Sequence, residues 1–121
     1  MDKLIRHHRK NGKLATITGV HPNSKFGTME VRGNLITNFH EKPKIKDWVS
    51  GGFFVFDRRV LDYFQPTGEY SIEENVFKEL AKEKQLVLYK HEGSWRCMDT
   101  YKDTKALNQL WKDGQADWKV W

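Results

Sequence analysis

The sequence contains a single cysteine, so no intramolecular disulfide can hold this chain together. Cys97 has no second cysteine within the 121 residues with which to form a disulfide or half of a zinc knuckle. The five histidines show no H-x-x-x-H spacing, which would place two imidazoles on one face of a helix. The sequence therefore excludes a disulfide framework, argues against a zinc site and favours a reducing compartment.

Long apolar runs and glycine-rich phosphate loops are missing as well. No run approaches the roughly 18 apolar residues needed to span a bilayer, and residues 1–13 contain no signal-peptide core. The nine glycines form neither G-x-G-x-x-G nor a P-loop, and no G-x-S-x-G elbow is present. We therefore predict a cytoplasmic protein without a membrane partner.

Clustered charge of one sign is also absent, although the chain is basic overall. Lys and Arg number 21 and Asp and Glu 16, which gives a formal net charge of +5 and a pI near 9.3. The two signs are interleaved along the whole length, which is typical of a solvated surface. The sequence shows neither the spacing of a helix-turn-helix motif nor the pattern of an RNA-binding strand. Nucleic-acid binding therefore rests on net charge alone and is not favoured.

Strands and helices alternate in the sequence, and the length supports one domain over residues 1–121. Residues 14–20 predict a strand through their β-branched content, and 28–39 predict a hairpin that turns at Arg32-Gly33-Asn34. Residues 53–56, Phe-Phe-Val-Phe, are apolar at every position and predict an interior strand covered on both faces. The predicted class is α/β, a mixed sheet with flanking helices and a β-hairpin insertion.

Start and stop signals place helices around that sheet. The first is capped by Asp2 and ended by Gly12, with His7 and His8 on its exposed side. Cys97 is expected to be buried and inert. The other predicted elements are helices starting at Asp57, at the Ser71–Glu74 capping box and at Asp99 or Thr100, a turn over 65–70, and strands over 86–91 and 94–98.

Charge is concentrated in one loop, where Glu41 and Lys42 precede Pro43 at the exit of the predicted hairpin. The fixed φ of proline stiffens this loop, and a stiff loop can hold a charged pair in place. A carboxylate accepts hydrogen bonds from sugar hydroxyls and an ammonium suits a phosphate, so the pair fits a sugar phosphate. On residue type alone, a solvated Glu-Lys loop is the alternative.

Gly51-Gly52 and Asp99 are further candidates, each with a structural alternative. Two glycines directly before a strand let a ligand approach the backbone, or they mark a β-bulge. Asp99 follows a predicted strand and precedes a helix, where α/β proteins bind ligands and metal ions, or it is a plain N-cap. A single carboxylate rarely holds Mg²⁺, which needs further oxygens from another acid, water or substrate phosphates.

Several short stretches carry a family resemblance through their order and spacing. They are Phe26-Gly27, FHEKP at 39–43, SGGFFVFD at 50–57, WRCMDT at 95–100 and the closing WKVW. Together they resemble the sugar nucleotidyltransferases, and within them the glucose-1-phosphate cytidylyltransferases. The resemblance implies the C-terminal part of the family's Rossmann-like fold. It also implies an enzyme class that joins CTP and glucose 1-phosphate to give CDP-glucose and pyrophosphate, with Mg²⁺.

The resemblance also implies roles for particular residues. Glu41 would hold sugar hydroxyls and Lys42 the sugar phosphate. Gly27 and Gly52 would let the sugar approach the backbone. Asp99 would be one metal ligand.

Two departures from the family pattern limit what the resemblance implies. Ser50 stands where the family has Asn, and the N-terminal half with its glycine-rich nucleotide loop, a lysine and the other metal-binding aspartate has no counterpart in the sequence. We therefore expect a truncated relative that keeps the sugar-phosphate half-site and is inactive alone. One alternative is a non-enzymatic, self-associating module built on residues 53–56 and the tryptophan tail. Another is a subunit completed by a separate N-terminal half.

Overall fold

The computed structural model describes residues 1–65 and 71–121, so the predicted turn over 65–70 lies mostly outside the described residues. Two compact units are present, Met1–His91 and Glu92–Trp121, and the single domain over 1–121 stays a prediction. None of the helices within the described ranges is long and apolar enough to cross a membrane. In chain order the elements are α1 (Asp2–Asn11), β1 (Ala15–Val20), β2 (Thr28–Arg32), β3 (Leu35–His40), β4 (Val49–Phe56), a 3₁₀ helix (Arg58–Tyr63), a π-helical turn (Ile72–Phe77) continued by α2 (Lys78–Lys82), β5 (Leu86–Lys90) and α3 (Tyr101–Lys112).

The central strand of the first unit is β1. It pairs antiparallel with β4 on one side and parallel with β5 on the other. Its sequence, Ala-Thr-Ile-Thr-Gly-Val, is small or β-branched throughout, and such side chains pack well on a pleated surface. Five of its six residues are buried. The predicted mixed α/β class is therefore confirmed.

The prediction that residues 53–56 form an interior strand is wrong. They lie in β4, which is an edge strand of the sheet in the described part of the chain. Phe53 and Phe56 are 50% and 37% exposed. The rings of Phe54 and Phe56 stack 5.8 Å apart, and Phe54 meets Phe77 edge-on at 5.2 Å. The apolar run therefore packs inward on one face and remains partly open on the other.

The core of this unit lies between the sheet and the helical segments that follow β4. The Asp57 carboxylate caps the 3₁₀ helix as predicted, because it accepts the Arg59 N–H at 2.9 Å. That short helix, the π-helical turn and α2 each contribute a buried side chain. The buried cluster consists of Leu14, Ala15, Val60, Val76 and Leu80.

The capping box predicted at Ser71 forms in half. The Ser71 hydroxyl accepts the Glu74 N–H at 3.3 Å. The Ser71 N–H donates to the side chain of Asn75 at 3.1 Å, while the Glu74 carboxylate pairs with Lys78. The sequence signal therefore located the helix start correctly, but the return bond comes from the next residue along.

Two histidines attach α1 to the sheet, which corrects the prediction that both are exposed. His7 Nε2 lies 3.1 Å from the carbonyl oxygen of Leu88. His8 Nδ1 lies 2.9 Å from the hydroxyl of Thr16, a fully buried side chain of β1. Both imidazoles are half-buried. His7 bonds to β5 and His8 bonds to β1, so polar as well as apolar contacts hold α1 to the sheet.

The structure confirms the predicted C-terminal end of α1 but not its predicted N-cap. Gly12 adopts a left-handed conformation with φ of 62° and ends the helix, as expected for glycine at this position. Asp2, however, is the first helical residue, and the N-cap is Met1 without a side-chain bond. The carboxylate in the first turn still has the favourable sign for the helix dipole.

The predicted hairpin is confirmed and forms an arm, a name used here for residues 28–40. β2 and β3 pair antiparallel and turn at Gly33, which has a positive φ of 60°. Every residue of both strands is exposed. An antiparallel bridge between Asn23 and Lys44 continues the pairing beneath the arm.

The second unit is built around α3. Thr100 is its N-cap and forms a complete capping box with Asp103, and Gly114, with φ of 68°, follows the helix as predicted. The predicted strand over 94–98 is wrong, since these described residues form no regular element. Cys97 lies there half-buried rather than buried.

The tryptophan tail turns back towards α3. The rings of Trp111 and Trp121 lie 6.3 Å apart, and Lys119 Nζ lies 4.7 Å from the Trp111 ring. Trp121 is nevertheless 81% exposed. The tail therefore contacts its own helix without being buried.

Candidate sugar-phosphate site

The arm brings two predicted site residues to the same end of a hairpin. Thr28 and His40 are cross-strand partners in β2 and β3. Gly27 directly precedes the first of these residues and Glu41 directly follows the second. The two residues therefore leave the arm side by side, although they are 14 positions apart in the numbering.

Glu41 and Lys42 form an ion pair at this point. Lys42 Nζ lies 3.8 Å from Glu41 Oε1, and the two side chains are 53% and 65% exposed, respectively. A pair this open to water is stabilised little by its own attraction, because water screens it. Both groups remain accessible to a ligand that carries hydroxyls and a phosphate.

The backbone at Lys42 is strained. Its φ is 46°, in the left-handed region that non-glycine residues avoid. Such a conformation persists where the surrounding structure imposes it, and it is more frequent at binding and catalytic sites than elsewhere. Sequence reasoning selected Lys42 for its charge and missed its positive φ, since no residue type in the loop predicts that conformation.

Backbone hydrogen bonds on the C-terminal side of Lys42 hold the loop. The carbonyl oxygen of Pro43 accepts the Ser24 N–H at 2.8 Å, and the Ile45 N–H donates to the carbonyl oxygen of Pro22 at 2.9 Å. These bonds lie on either side of the bridge at Lys44. The proline loop is therefore fixed to the segment 22–24 opposite it.

Gly52 lies in a β-bulge. The register of β1 with β4 shifts between Ile17, which faces Phe54, and Gly19, which faces Ser50. Gly51 and Gly52 fall inside this shift, and Gly52 has φ of 82° with open space where a Cβ would stand. Of the two alternatives for the glycine pair, the bulge is present, and the open space beside Gly52 leaves its backbone approachable.

An apolar groove of about 300 Å³ lies beside the bulge on the first unit. Gly19 forms part of its wall, where a Cβ would come within 2.4 Å of Leu88 Cδ1. The ring of Trp48 contacts that of His21 at a tilt of 39°, with ring centroids 3.8 Å apart. No sequence pattern predicted the groove, because its wall combines three strands and a loop. Its lining residues are Ile17, Gly19, Trp48, Val49, Ser50, Leu86, Val87 and Leu88.

Asp99 lies in the second unit, directly before the N-cap of α3, and is exposed. Thr100 rather than Asp99 caps this helix, so the plain capping role considered for Asp99 is taken by its neighbour. Within residues 1–65 and 71–121, no three His, Cys, Asp or Glu side chains cluster as metal ligands would. A single carboxylate does not make a Mg²⁺ site, so the assignment of Asp99 as a metal ligand stays a prediction.

The carboxyl of Asp57, at the N-cap of the 3₁₀ helix, has a shifted pKa. Arg59 lowers the pKa of Asp57 from 3.8 to about 2, first through the hydrogen bond from its guanidinium and then through its backbone N–H. Nearby, the hydrogen bond to Glu83 raises the pKa of Tyr63. Both shifts arise chiefly from side-chain hydrogen bonds.

Comparison with known proteins gives consistent matches over almost the whole chain. The family model described as nucleotidyl transferase matches residues 1–117. The "probable glucose-1-phosphate cytidylyltransferase" of Bacillus subtilis (strain 168) is 40% identical over 118 residues, which are 98% of this chain and 46% of that protein. The glucose-1-phosphate cytidylyltransferase of Salmonella typhimurium is 36% identical over 97% of this chain and 46% of its own length. The chain therefore spans about half the length of these curated relatives.

A solved structure shares the fold. It is a Bacillus anthracis protein assigned as a glucose-1-phosphate thymidylyltransferase, in complex with a sucrose. The TM-score is 0.64 at 18% identity, over 97% of this chain and 49% of that one. At this identity the likeness concerns the fold alone, and it agrees with the mixed α/β class.

Proposed function

The chain belongs to the nucleotidyl transferase family, and from this premise we propose that it provides the sugar-phosphate half of a nucleotidyl-transfer site. The whole reaction would be that of a glucose-1-phosphate cytidylyltransferase, in which CTP and glucose 1-phosphate give CDP-glucose and pyrophosphate. Two relatives that carry this name support the choice of substrates. Because this chain spans about 46% of their length and contains no glycine-rich nucleotide loop, the chain alone is inactive in this proposal.

The observation that carries the proposal is the Glu41–Lys42 pair at the base of the arm. The pair is accessible, its backbone is strained at Lys42, and hydrogen bonds at Pro43 and Ile45 fix the loop. A carboxylate and an ammonium 3.8 Å apart suit a ligand whose hydroxyls and phosphate are close together. A hexose 1-phosphate has this arrangement.

The remaining residues have supporting roles in the proposal. Gly27 and Gly52 let the sugar approach the backbone, which at Gly52 has open space on its side-chain position. Asp99 supplies one oxygen to Mg²⁺. The other oxygens would come from outside the described residues, so the ion is a component of the whole enzyme rather than of this chain.

Binding of glucose 1-phosphate tests the site directly. Titration calorimetry of the 121-residue chain should detect glucose 1-phosphate and should show weaker binding of glucose and of inorganic phosphate. Lys42→Ala should weaken binding of glucose 1-phosphate by about tenfold or more, which corresponds to the loss of one charge-assisted contact. Lys46→Ala is the matched control, because it removes an exposed lysine from the same loop.

Two outcomes would contradict this site. One is an absence of binding at millimolar glucose 1-phosphate. The other is an equal loss of affinity in the Lys42→Ala and Lys46→Ala variants, which would assign the effect to net charge rather than to position.

Activity is a separate question with its own measurement. With CTP, glucose 1-phosphate and Mg²⁺, the chain alone should release no pyrophosphate above background. Sustained release would disprove the proposed inactivity while leaving the sugar-phosphate site intact. Co-purification with a separately expressed N-terminal half, together with restored activity, would identify the chain as a complemented subunit.

A non-enzymatic interaction module is the second candidate, and exposed apolar side chains favour it. Phe53 is 50% exposed and Trp121 is 81% exposed, and large apolar side chains of this kind are often covered by a partner. Sedimentation at tens of micromolar, a range typical of weak association, should show a homo-oligomer in this case. A monomer that binds glucose 1-phosphate would favour the first candidate.

A further inference from the structure

The arm has two chemically different faces. Along β2, Met29 and Val31 alternate with Glu30 and Arg32, so the two apolar residues lie on one side of the strand. Their cross-strand partners on that side are Phe39 and Ile36, and the register shifts between the Glu30–Asn38 and Val31–Ile36 pairs, where β3 has one extra residue. The four apolar side chains are each between 54% and 59% exposed. The other face carries Glu30 and Arg32, two residues apart on β2.

The outer edge of β2 is open in this chain. In the part of the chain that the structure describes, β2 pairs with β3 alone. An edge strand presents unpaired N–H and C=O groups that another strand can pair with. A two-stranded hairpin is marginally stable by itself, and three or more strands with an apolar face are what such a unit needs.

We propose that β2 pairs antiparallel with β2 of a second copy of this chain, across a two-fold axis at Val31. In this register Glu30 of each copy lies opposite Arg32 of its partner, and the two Val31 side chains lie opposite each other. Opposite charges facing each other across strands stabilise pairing, whereas like charges destabilise it. The two-fold axis forms both charge pairs at once, as an isologous contact requires.

Neighbouring registers of the β2–β2 pairing are less favourable because they place like charges opposite each other. An axis at Glu30 sets two carboxylates against each other, and an axis at Arg32 sets two guanidinium groups against each other. A parallel copy in register would repeat both repulsions. The charge order on β2 is therefore complementary to an antiparallel copy of itself, which is why the occupant is a second copy rather than an unrelated strand.

The pairing would join two hairpins into one four-stranded antiparallel sheet. Met29, Val31, Ile36 and Phe39 of both copies would then share one continuous apolar face. This contact is separate from the sugar-phosphate loop, and it differs from association through residues 53–56. Failure of the pairing would leave the proposed glucose 1-phosphate site untouched.

Charge reversal tests the register. Glu30→Arg and Arg32→Glu should each weaken dimerisation by about tenfold, measured by sedimentation equilibrium of the full chain. The double variant Glu30→Arg/Arg32→Glu restores opposite charges and should recover the dimer to within about threefold. Glu30 also lies 3.4 Å from His40 in its own chain. The double variant does not restore that contact, so recovery would report pairing between copies.

A cross-link gives an independent readout. In a Cys97→Ser background, Val31→Cys should form a disulfide-linked dimer on mild oxidation, because residues directly opposite in an antiparallel pair have Cα atoms roughly 4.5–5.5 Å apart, within disulfide range. Thr28→Cys on the same strand is the matched control and should stay monomeric. Circular dichroism of each variant verifies folding.

Either of two results would overturn the proposal. The first is a wild-type chain that is monomeric at tens of micromolar together with no Val31→Cys cross-link. The second is a dimer that both charge reversals leave unchanged, which would assign the contact to another surface such as residues 53–56.

Discussion

Phe39 covers Gly27 so closely that a Cβ on the glycine would lie 2.5 Å from Cζ of the ring. Side-chain atoms do not approach each other to that distance, so the ring position requires glycine. The contact lies at the end of the arm from which Glu41 leaves. Glycine therefore has a structural reason to occupy position 27, in addition to the proposed approach of a sugar.

Gly27→Ala separates these two reasons. The methyl group should displace the Phe39 ring and lower the free energy of unfolding by about 1 kcal/mol, within the range for a poorly fitting surface substitution. In a Phe39→Ala background the space is vacant, and Gly27→Ala should then be close to neutral. Urea unfolding of the four proteins measures this coupling.

Binding of glucose 1-phosphate by the same four proteins measures the other role. If the sugar approaches the backbone at Gly27, the alanine should weaken binding in both backgrounds. Binding that is lost only where Phe39 is present would mean that the ring displacement, and not the methyl group itself, disturbs the site.

Gly52 gives a second backbone prediction. Its φ of 82° lies where residues with a Cβ are strained, although the surrounding space is open. Gly52→Ala should therefore lower the free energy of unfolding by roughly 1 kcal/mol through backbone strain. Gly52→Asn should cost less, since asparagine tolerates the left-handed region better than alanine.

The ranking of the two Gly52 variants is the decisive measurement. If the larger asparagine side chain destabilises more than alanine does, steric crowding rather than φ would be the cause. That result would contradict the open space found beside Gly52.

Elements with a strong local signal were predictable from the sequence. The turn at Gly33 needs a positive φ that glycine supplies, and the hairpin follows from it. The β-branched run of β1 and the left-handed C-cap at Gly12 are equally local. In each case the local residue types favour the observed backbone conformation, although β1 also needs its partner strands to form a sheet.

Features that depend on partners far along the chain were not predictable. β1 becomes the central strand because β5, about 70 residues later, pairs with it in parallel, and nothing in the Phe-Phe-Val-Phe run of β4 encodes that pairing. The hydrogen bond between His7 and the carbonyl oxygen of Leu88 likewise joins residues that are far apart in the sequence. The helix pattern alone could assign that imidazole only to an exposed side.

The candidate site also combines features that the sequence predicts with features that it does not. Glu41 and Lys42 were selected from their chemistry, and the short distance between them follows from their adjacency. The hydrogen bonds at Pro43 and Ile45 are made with residues 22–24, far away in the sequence, and the positive φ of Lys42 has no signal in the residue type. Sequence reasoning therefore identified the groups but could not foresee the geometry that holds them.

The stability contributed by the Asp57–Arg59 contact should depend on pH. Arg59 lowers the pKa of Asp57 to about 2, from 3.8. Because the folded-state pKa is the lower one, this contribution to stability is present above 3.8 and is lost as the pH falls through about 2. The difference in Tm between wild type and Asp57→Asn should therefore shrink as the pH falls through that window.

Asparagine is the suitable replacement because it still caps a helix while removing the charge. Arg59→Gln is the complementary variant and should raise the pKa of the Asp57 carboxyl towards its usual value, measured by carbon-detected NMR titration. An Asp57 pKa that does not move in Arg59→Gln would assign the shift to another group.

Neighbouring residues Asp99 and Thr100 should respond differently to alanine. The Thr100 hydroxyl accepts the Asp103 N–H at 3.1 Å, and the Asp103 carboxylate accepts the Thr100 N–H at 3.0 Å. Thr100→Ala removes one half of this capping box and should lower the free energy of unfolding by about 1 kcal/mol. Asp99→Ala should change stability by less than about 0.5 kcal/mol, as is usual for an exposed position outside a cap.

This contrast bears on the proposed metal role of Asp99. A carboxylate whose removal leaves stability unchanged but abolishes the activity of a complemented enzyme would have a functional rather than a structural reason to be there. If Asp99→Ala instead destabilises the chain as much as Thr100→Ala does, the residue supports the start of α3, and its assignment as a Mg²⁺ ligand loses its basis.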